Sequence, residues 1–188
     1  MSKSLSIVGS SRDHGERDEL DFYPTPAYAT EALLARESFT GTILEPACGD
    51  GAISEVLKAH GANGDVCSFD IVNRGYGLQA DFFDTVQHFD NIITNPPYNV
   101  ALEFILKSKE IANHKIAMFL KTVFLESTRR YEMFTDTKFP LKTMYQFSKR
   151  VTLYKGGVKL KNSGMISYAW FVWDRFHVGK PTIQWIGE

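Results

Sequence analysis

The chain has 188 residues, with 21 Lys and Arg against 22 Asp and Glu and a formal net charge of −1. Hydrophobic residues make up 44% and aromatics 13%, enough to bury a core and too much for a disordered chain. No window approaches the ~20 apolar residues a bilayer span needs, Met1-Ser2-Lys3-Ser4 opens without an apolar signal core, and two cysteines, Cys48 and Cys67, make neither a disulfide framework nor a four-sulfur zinc site.

In chain order, residues 1–20 are polar and charged and read as a flexible arm. The remainder, 21–188, reads as one domain in a reduced, cytoplasmic protein. Thr25 and Pro26 suit a helix start, as cap and first residue, and Tyr28, Leu33 and Leu34 predict a helix ending near Ser38. The run 42–46 predicts a short buried strand, and Ala52 to His60 a helix with Ile53, Val56 and Leu57 at helical spacing. Further strands are predicted over 65–70, 89–94 and 115–120, with an amphipathic helix over 100–113. Then the pattern changes: 144–154, 164–173 and 182–186 read as strands without helices between them. Alternating β and α followed by strands predicts an α/β protein, a Rossmann-like, mostly parallel seven-stranded sheet with a C-terminal antiparallel hairpin. Trp170 and Trp173, three apart in a strand, should face opposite sides.

Between the first strand and its helix lies Glu45-Pro46-Ala47-Cys48-Gly49-Asp50-Gly51. Glycines there let the backbone approach a ligand closely, and the carboxyl end of such a strand is where nucleotides bind. Ser54 stands where a dinucleotide fingerprint has its third Gly, and no Gly-Lys-Ser/Thr follows, so neither that fingerprint nor a P-loop is complete. Asp70 ends the next strand about 20 residues on, where a carboxylate can accept both hydroxyls of a ribose. These features point to an adenosine-containing cofactor and leave its identity open.

Asn95-Pro96-Pro97-Tyr98 follows an apolar strand. Two prolines lock φ and remove two N–H donors, so the Pro96 carbonyl and the Asn95 amide oxygen become two acceptors beside the Tyr98 ring. Such a corner suits a planar amine on a flat ring. Gripping its hydrogens favours a pyramidal nitrogen with a free lone pair, ready for in-line displacement on an electrophilic methyl, with catalysis by positioning and electrostatics. A rigid proline turn with Tyr98 in the core is the structural alternative.

In this order, Tyr23-Pro24-Thr25-Pro26, the glycine loop, Asp70, Asp81-Phe82-Phe83 and Asn95-Pro96-Pro97-Tyr98 resemble the S-adenosylmethionine-dependent amino-methyltransferases, and among them the small phage-type DNA adenine-N6 methyltransferases. The resemblance covers residues 21 to about 175. It implies that Tyr23, Thr25, Glu45, Ala47, Gly49 and Gly51 line the methionine and ribose portion of S-adenosylmethionine, Asp70 holds the ribose hydroxyls, and Ile71 packs on the adenine. Asp81 would accept the cofactor's adenine amine and Phe82 would pack beside that ring. Asn95, Pro96, Pro97 and Tyr98 would hold the target amine, with Tyr98 stacked on the target base. Asp81 and Thr25 also fit plain helix caps, and Phe82 also fits the core. RNA adenine, RNA guanine and protein glutamine methyltransferases carry similar tetrapeptides, so RNA or protein remains an alternative substrate. Larger relatives have a separate target-recognition domain, for which this chain has no room.

Charge adds a partner. Residues 1–100 hold 6 basic and 15 acidic side chains, residues 101–188 hold 15 and 7. A polyanion such as DNA fits the basic half, with Arg129 and Arg130, Lys149 and Arg150, and the lysines Lys155, Lys159 and Lys161 as candidate phosphate contacts; a solvated face is the plain alternative. The five histidines show no metal spacing, and no metal is expected.

Overall fold

Runs rich in apolar residues make the strands, and eight strands among the described residues share one sheet. The computed structural model describes residues 22–61, 65–153 and 166–187. Its strands are β1 (Ile43–Glu45), β2 (Val66–Asp70), β3 (Leu78–Gln79), β4 (Phe89–Thr94), β5 (Ala112–Lys121), β6 (Leu141–Phe147), β7 (Tyr168–Asp174) and β8 (Thr182–Ile186). The helices are α1 (Ala27–Leu34), α2 (Ala52–Ala59), α3 (Ala101–Ile111) and α4 (Tyr131–Thr135). The strand order is β3-β2-β1-β4-β5-β7-β6-β8. Only β7 runs against its neighbours, pairing antiparallel with β5 and β6, while β8 pairs parallel with β6. The doubly wound order 3-2-1-4-5-6 is thus interrupted by one reversed strand. The sheet has eight strands where seven are predicted, β3 being a two-residue addition at one edge.

Successive residues of a strand face opposite sides, and the two cores follow that rule. Ile92, Met118, Phe171 and Trp173 pack under α3 and α4. Ile93, Phe119, Trp170 and Val172 pack under α1 and α2. Trp170 and Trp173 fall on opposite faces as expected. Central strands covered on both sides are apolar throughout; all seven residues of β7 are buried. The Trp170 indole Nε1 also donates to the Ala29 carbonyl at 2.7 Å. That bond fixes α1, and with it the preceding residues 22–26, against the sheet.

Several boundaries differ from expectation. α1 ends at Leu34, not near Ser38, because Glu37 turns inward to an ion-pair network. β5 starts directly at Ala112, since the polar Asn113 and His114 continue the strand at its outer end. β6 runs over Leu141–Phe147 rather than 144–154, starting immediately after Pro140 and stopping before the exposed Ser148, Lys149 and Arg150. The polar arm over 1–20 and the lysines Lys155, Lys159 and Lys161 lie outside the described residues. No helix among the described residues is long and apolar enough to cross a membrane.

The amino end of the sheet holds the ion-pair network. Glu37, 5% exposed, takes Lys115 and Lys142 at 2.8 Å each and the Tyr145 hydroxyl at 2.8 Å. Burial alone would raise its carboxyl, but the hydrogen bonds from Lys115, Lys142 and Tyr145 outweigh it and hold Glu37 below its ordinary value. Two cations of the basic half thereby share one acid of the first half, and Lys142 also lies 3.7 Å from Asp174.

Candidate active site

The parallel strands β2, β1, β4 and β5 lie side by side and bring Asp70, Glu45, Asn95 and Lys121 to their carboxyl ends. Between β1 and β4 the winding reverses, which is where open α/β sheets bind ligands. A cleft of about 820 Å³, including its open mouth, lies here. Tyr23, Thr25, Glu45, Ala47, Gly49, Asp70, Ile71 and all of Asn95, Pro96, Pro97 and Tyr98 line it. The structure thus brings together most of the residues the sequence singles out. Gly51, Asp81 and Phe82 do not line the cleft.

The glycine loop is tight because two backbones and two rings crowd it. Gly49 has φ +56°, and a Cβ there would fall 2.3 Å from the Phe22 ring. Gly51 has φ +89°, and a Cβ there would fall 2.5 Å from the Tyr76 ring. No L side chain fits either position. The Asp70 carboxylate holds the loop from below, accepting from Gly49 N at 2.9 Å through Oδ2 and from Val72 N at 2.9 Å through Oδ1. The Arg74 guanidinium lies 4.6 Å from the Phe22 ring centre, closing the mouth. Neither Phe22 nor Arg74 is signalled by sequence spacing, because both reach the cleft from loops.

Beneath the loop, Glu45 is buried with Ser54, to which it hydrogen-bonds, and Ser54 lies 2.5 Å from Ser68. Burial pushes the Glu45 carboxyl up to about 8, with the Ser54 bond offsetting part of that. Cys48 sits in the loop with its thiol pushed up to about 12, chiefly by burial and then by the negative charge of Glu45 and Asp70. It is a small buried hydrophobe, as expected, and not a nucleophile.

Asn95 is the pivot. Its Nδ2 donates to the Tyr23 carbonyl and to Thr25 Oγ1, both at 3.1 Å. A carbonyl only accepts, so this bond fixes which way the amide faces. Its Oδ1 is then left buried with no hydrogen-bond partner. Thr25 is not a helix cap: Pro26 occupies that position, without a side-chain cap bond, and Thr25 serves Asn95 instead. Pro96 is buried and Pro97 exposed, and Pro97 has no N–H to engage the Pro96 carbonyl.

Tyr98 follows in a 3-10 turn over Tyr98–Val100. Its hydroxyl is buried beside Asn95 and Tyr168 without a well-formed hydrogen bond. Burial, then Tyr168, hold it well above the ordinary phenol value, so it stays protonated. The Lys121 ammonium lies 4.3 Å from the Tyr98 ring centre. One ring face is therefore taken by a cation where the sequence reading places a stacked base. Lys121 was findable, since the last residue of β5 must stand beside the end of β4.

The remaining predicted residues lie apart. Asp81 caps the 3-10 turn Phe82–Asp84, accepting from Phe83 N at 2.9 Å. Phe82 is 2% exposed and packs in the core, 4.8 Å from Phe104 between ring centres. Ile71, by contrast, is 62% exposed at the cleft edge. Lys149 and Arg150 are exposed beyond the end of β6.

No protein-family model matches the chain, and no curated protein matches it. Solved structures do. A candidate RNA methyltransferase from Pyrococcus horikoshii superposes with a TM-score of 0.62 at 16% identity, covering 83% of this chain and 87% of that one. Magnesium protoporphyrin IX methyltransferase from Synechocystis PCC 6803, solved with bound S-adenosylmethionine, gives 0.54 at 12% identity over 79% and 76% of the two chains. The METTL16 methyltransferase domain gives 0.52 at 12% identity over 80% of each. The fold is that of a class I methyltransferase. Within this fold the cleft described above lies at the carboxyl ends of β1, β2 and β4. Its lining acids Asp50 and Asp70 and its glycine loop fit a donor that carries an adenosine and a positive charge.

Proposed function

We propose that this chain transfers a methyl group from S-adenosylmethionine to the exocyclic N6 amine of adenine in DNA. The observation that carries the reading is the Asn95 Oδ1: a buried acceptor with no partner, held in place by Tyr23 and Thr25, at the lip of the cleft. An unpaired buried acceptor costs about 1–3 kcal/mol, and an amine hydrogen is the partner that would relieve it. The Pro96 carbonyl supplies the second acceptor for the other hydrogen.

The glycine loop, Asp70 and the segment 22–25 would hold the donor. When bound, S-adenosylmethionine supplies an electrophilic methyl on a sulfonium. Asn95 and Pro96 orient the amine so that its lone pair points into the cleft. The excess proton leaves to solvent, because Tyr98 stays protonated and burial also keeps the Glu45 carboxyl protonated. In duplex DNA the base must leave the stack to reach this corner. RNA adenine is the second reading, favoured by the fold likeness to a candidate RNA methyltransferase.

Incubation with methyl-labelled donor and DNA, RNA or a protein extract decides among these readings. Label on N6 of DNA adenine is the expected result; label on RNA alone selects the second reading, and label on cytosine, or none, defeats both. Asn95→Ala should lower turnover by about 10²–10³-fold with donor affinity nearly unchanged. An equal collapse of donor affinity would show that Asn95 serves the donor side instead.

A further inference from the structure

A second hollow lies beside the first, and Tyr98 and Asn99 form part of the wall of both. Its other side is the segment that follows β5, with Phe124 at the floor and Arg129 and Arg130 at the rim. The two arginines are not equivalent. Arg130 donates from Nη1 to the Phe124 carbonyl at 2.8 Å and lies 4.1 Å from the Phe124 ring centre. It ties the segment to itself. Ser127 caps the next turn by accepting from Arg129 N at 3.2 Å. The segment is thus preorganised, and what it presents outward is Arg129.

Arg129 Nη2 meets Glu103 of α3 at 3.2 Å, with the two side chains 78% and 44% exposed. Such an exposed pair contributes little to stability. A phosphodiester offers the same guanidinium one negative charge on two oxygens, in the two-pronged geometry it favours, and a strand brings neighbouring phosphates with it. Beside Arg129 the segment also exposes the apolar Val123, Leu125 and Tyr131, surface that suits the sugar and base faces of a strand.

We propose that this second hollow seats the substrate strand next to the base being methylated. Arg129 grips a phosphodiester there, and Glu103 is the resident carboxylate that the phosphate displaces. The inference rests on the nucleic-acid reading above and adds a positioning residue and its competitor. Glu103 competes with the strand for the same guanidinium.

The test uses the full chain and a fluorescent adenine-containing oligonucleotide, as DNA and as RNA, with binding and methyl transfer measured separately. Arg129→Ala should weaken binding of the preferred strand by roughly three- to tenfold and reduce the salt slope by about 1, with donor affinity unchanged. Arg129→Lys should recover part of the loss. Glu103→Gln breaks the same ion pair but should strengthen binding, because it frees the arginine. A structural role for the pair predicts that both changes act in the same direction, and that result, or no change in either, overturns the proposal. Opposite shifts in binding without any methyl transfer would keep this site and remove the proposed reaction. Transfer without opposite shifts would do the reverse. Wild-type protein that binds neither strand removes both.

Discussion

Among the described residues three carboxyls are buried, Glu37, Glu45 and Asp174, and the first two, at opposite ends of the same sheet, behave oppositely. Glu37 sits at the amino end among Lys115, Lys142 and Tyr145, and its charge is kept. Glu45 sits at the carboxyl end with only Ser54 and Ser68 for company, and its charge is resisted. The first is a joint: every oxygen is satisfied, and nothing there invites a ligand. The second lies beneath a loop of positive-φ glycines, and across the cleft Asn95 Oδ1 and the Tyr98 hydroxyl have no hydrogen-bond partner. Burial is the same in both; the partners decide the outcome. The fold thus ties its acidic and basic halves at one end, and beside the cleft at the other it leaves Asn95 Oδ1 and the Tyr98 hydroxyl without partners for a substrate to fill.

The most damaging way to break the comparison is Glu37→Ala. It strands the buried Lys115 and leaves Lys142 with Asp174 at 3.7 Å, and should lower unfolding free energy by about 3–5 kcal/mol, read from urea denaturation. A loss below about 1 kcal/mol would mean the joint is ornamental. Next comes pH. Glu37 lies below its ordinary 4.5, so its contribution is present above pH 4.5 and is lost as pH falls through the folded value. Glu45 lies above 4.5, so the stability it gives in its neutral form is present below pH 4.5 and is lost as pH rises towards about 8. Glu45→Gln should therefore flatten the fall of melting temperature between pH 5 and 8, a difference on the order of 2 kcal/mol. An identical slope in both proteins would show that Glu45 is ionised throughout.

Asp70→Ala sharpens the ligand end. It releases the amides of Gly49 and Val72 and should weaken donor binding by roughly tenfold, about 1.4 kcal/mol, seen by calorimetry; an unchanged dissociation constant would show that the loop stands without it. The smallest effect is Lys121→Met. Losing a partly solvated cation–ring contact should change stability by less than about 1 kcal/mol, while the rate of methyl transfer reports whether the ammonium matters to the target. A stability loss several times larger would make Lys121 a structural residue.

Much of the fold is legible from local punctuation. β4 over Phe89–Thr94 and β8 over Thr182–Ile186 stand where the pattern places them, because prolines fence their ends at Pro96 and Pro181. The glycine loop and the Asn-Pro-Pro-Tyr corner are equally local, and both reach the cleft. What is not local is not legible. Glu37 ends α1 early because of two lysines more than 75 positions away, and β6 begins at Leu141 because it pairs with Trp173. The dual fit of Thr25 and Asp81 shows the same limit: each is a plausible cap in sequence, yet Asp81 caps a turn and Thr25 turns to Asn95. The charge split was a coarse guide for a similar reason. Part of the basic excess is consumed inside the protein, by Glu37, which takes Lys115 and Lys142 at 2.8 Å.

The bond from Asn95 to the Tyr23 carbonyl has one more consequence. An amide can be turned over by half a rotation, and overturned it would present N–H groups to an incoming amine and push it away. A single main-chain oxygen, 72 positions upstream, forbids that rotation. The polarity of the corner, welcoming or hostile, is thus written in the path of the segment before α1, and anything that lifts that segment silences the corner without touching it.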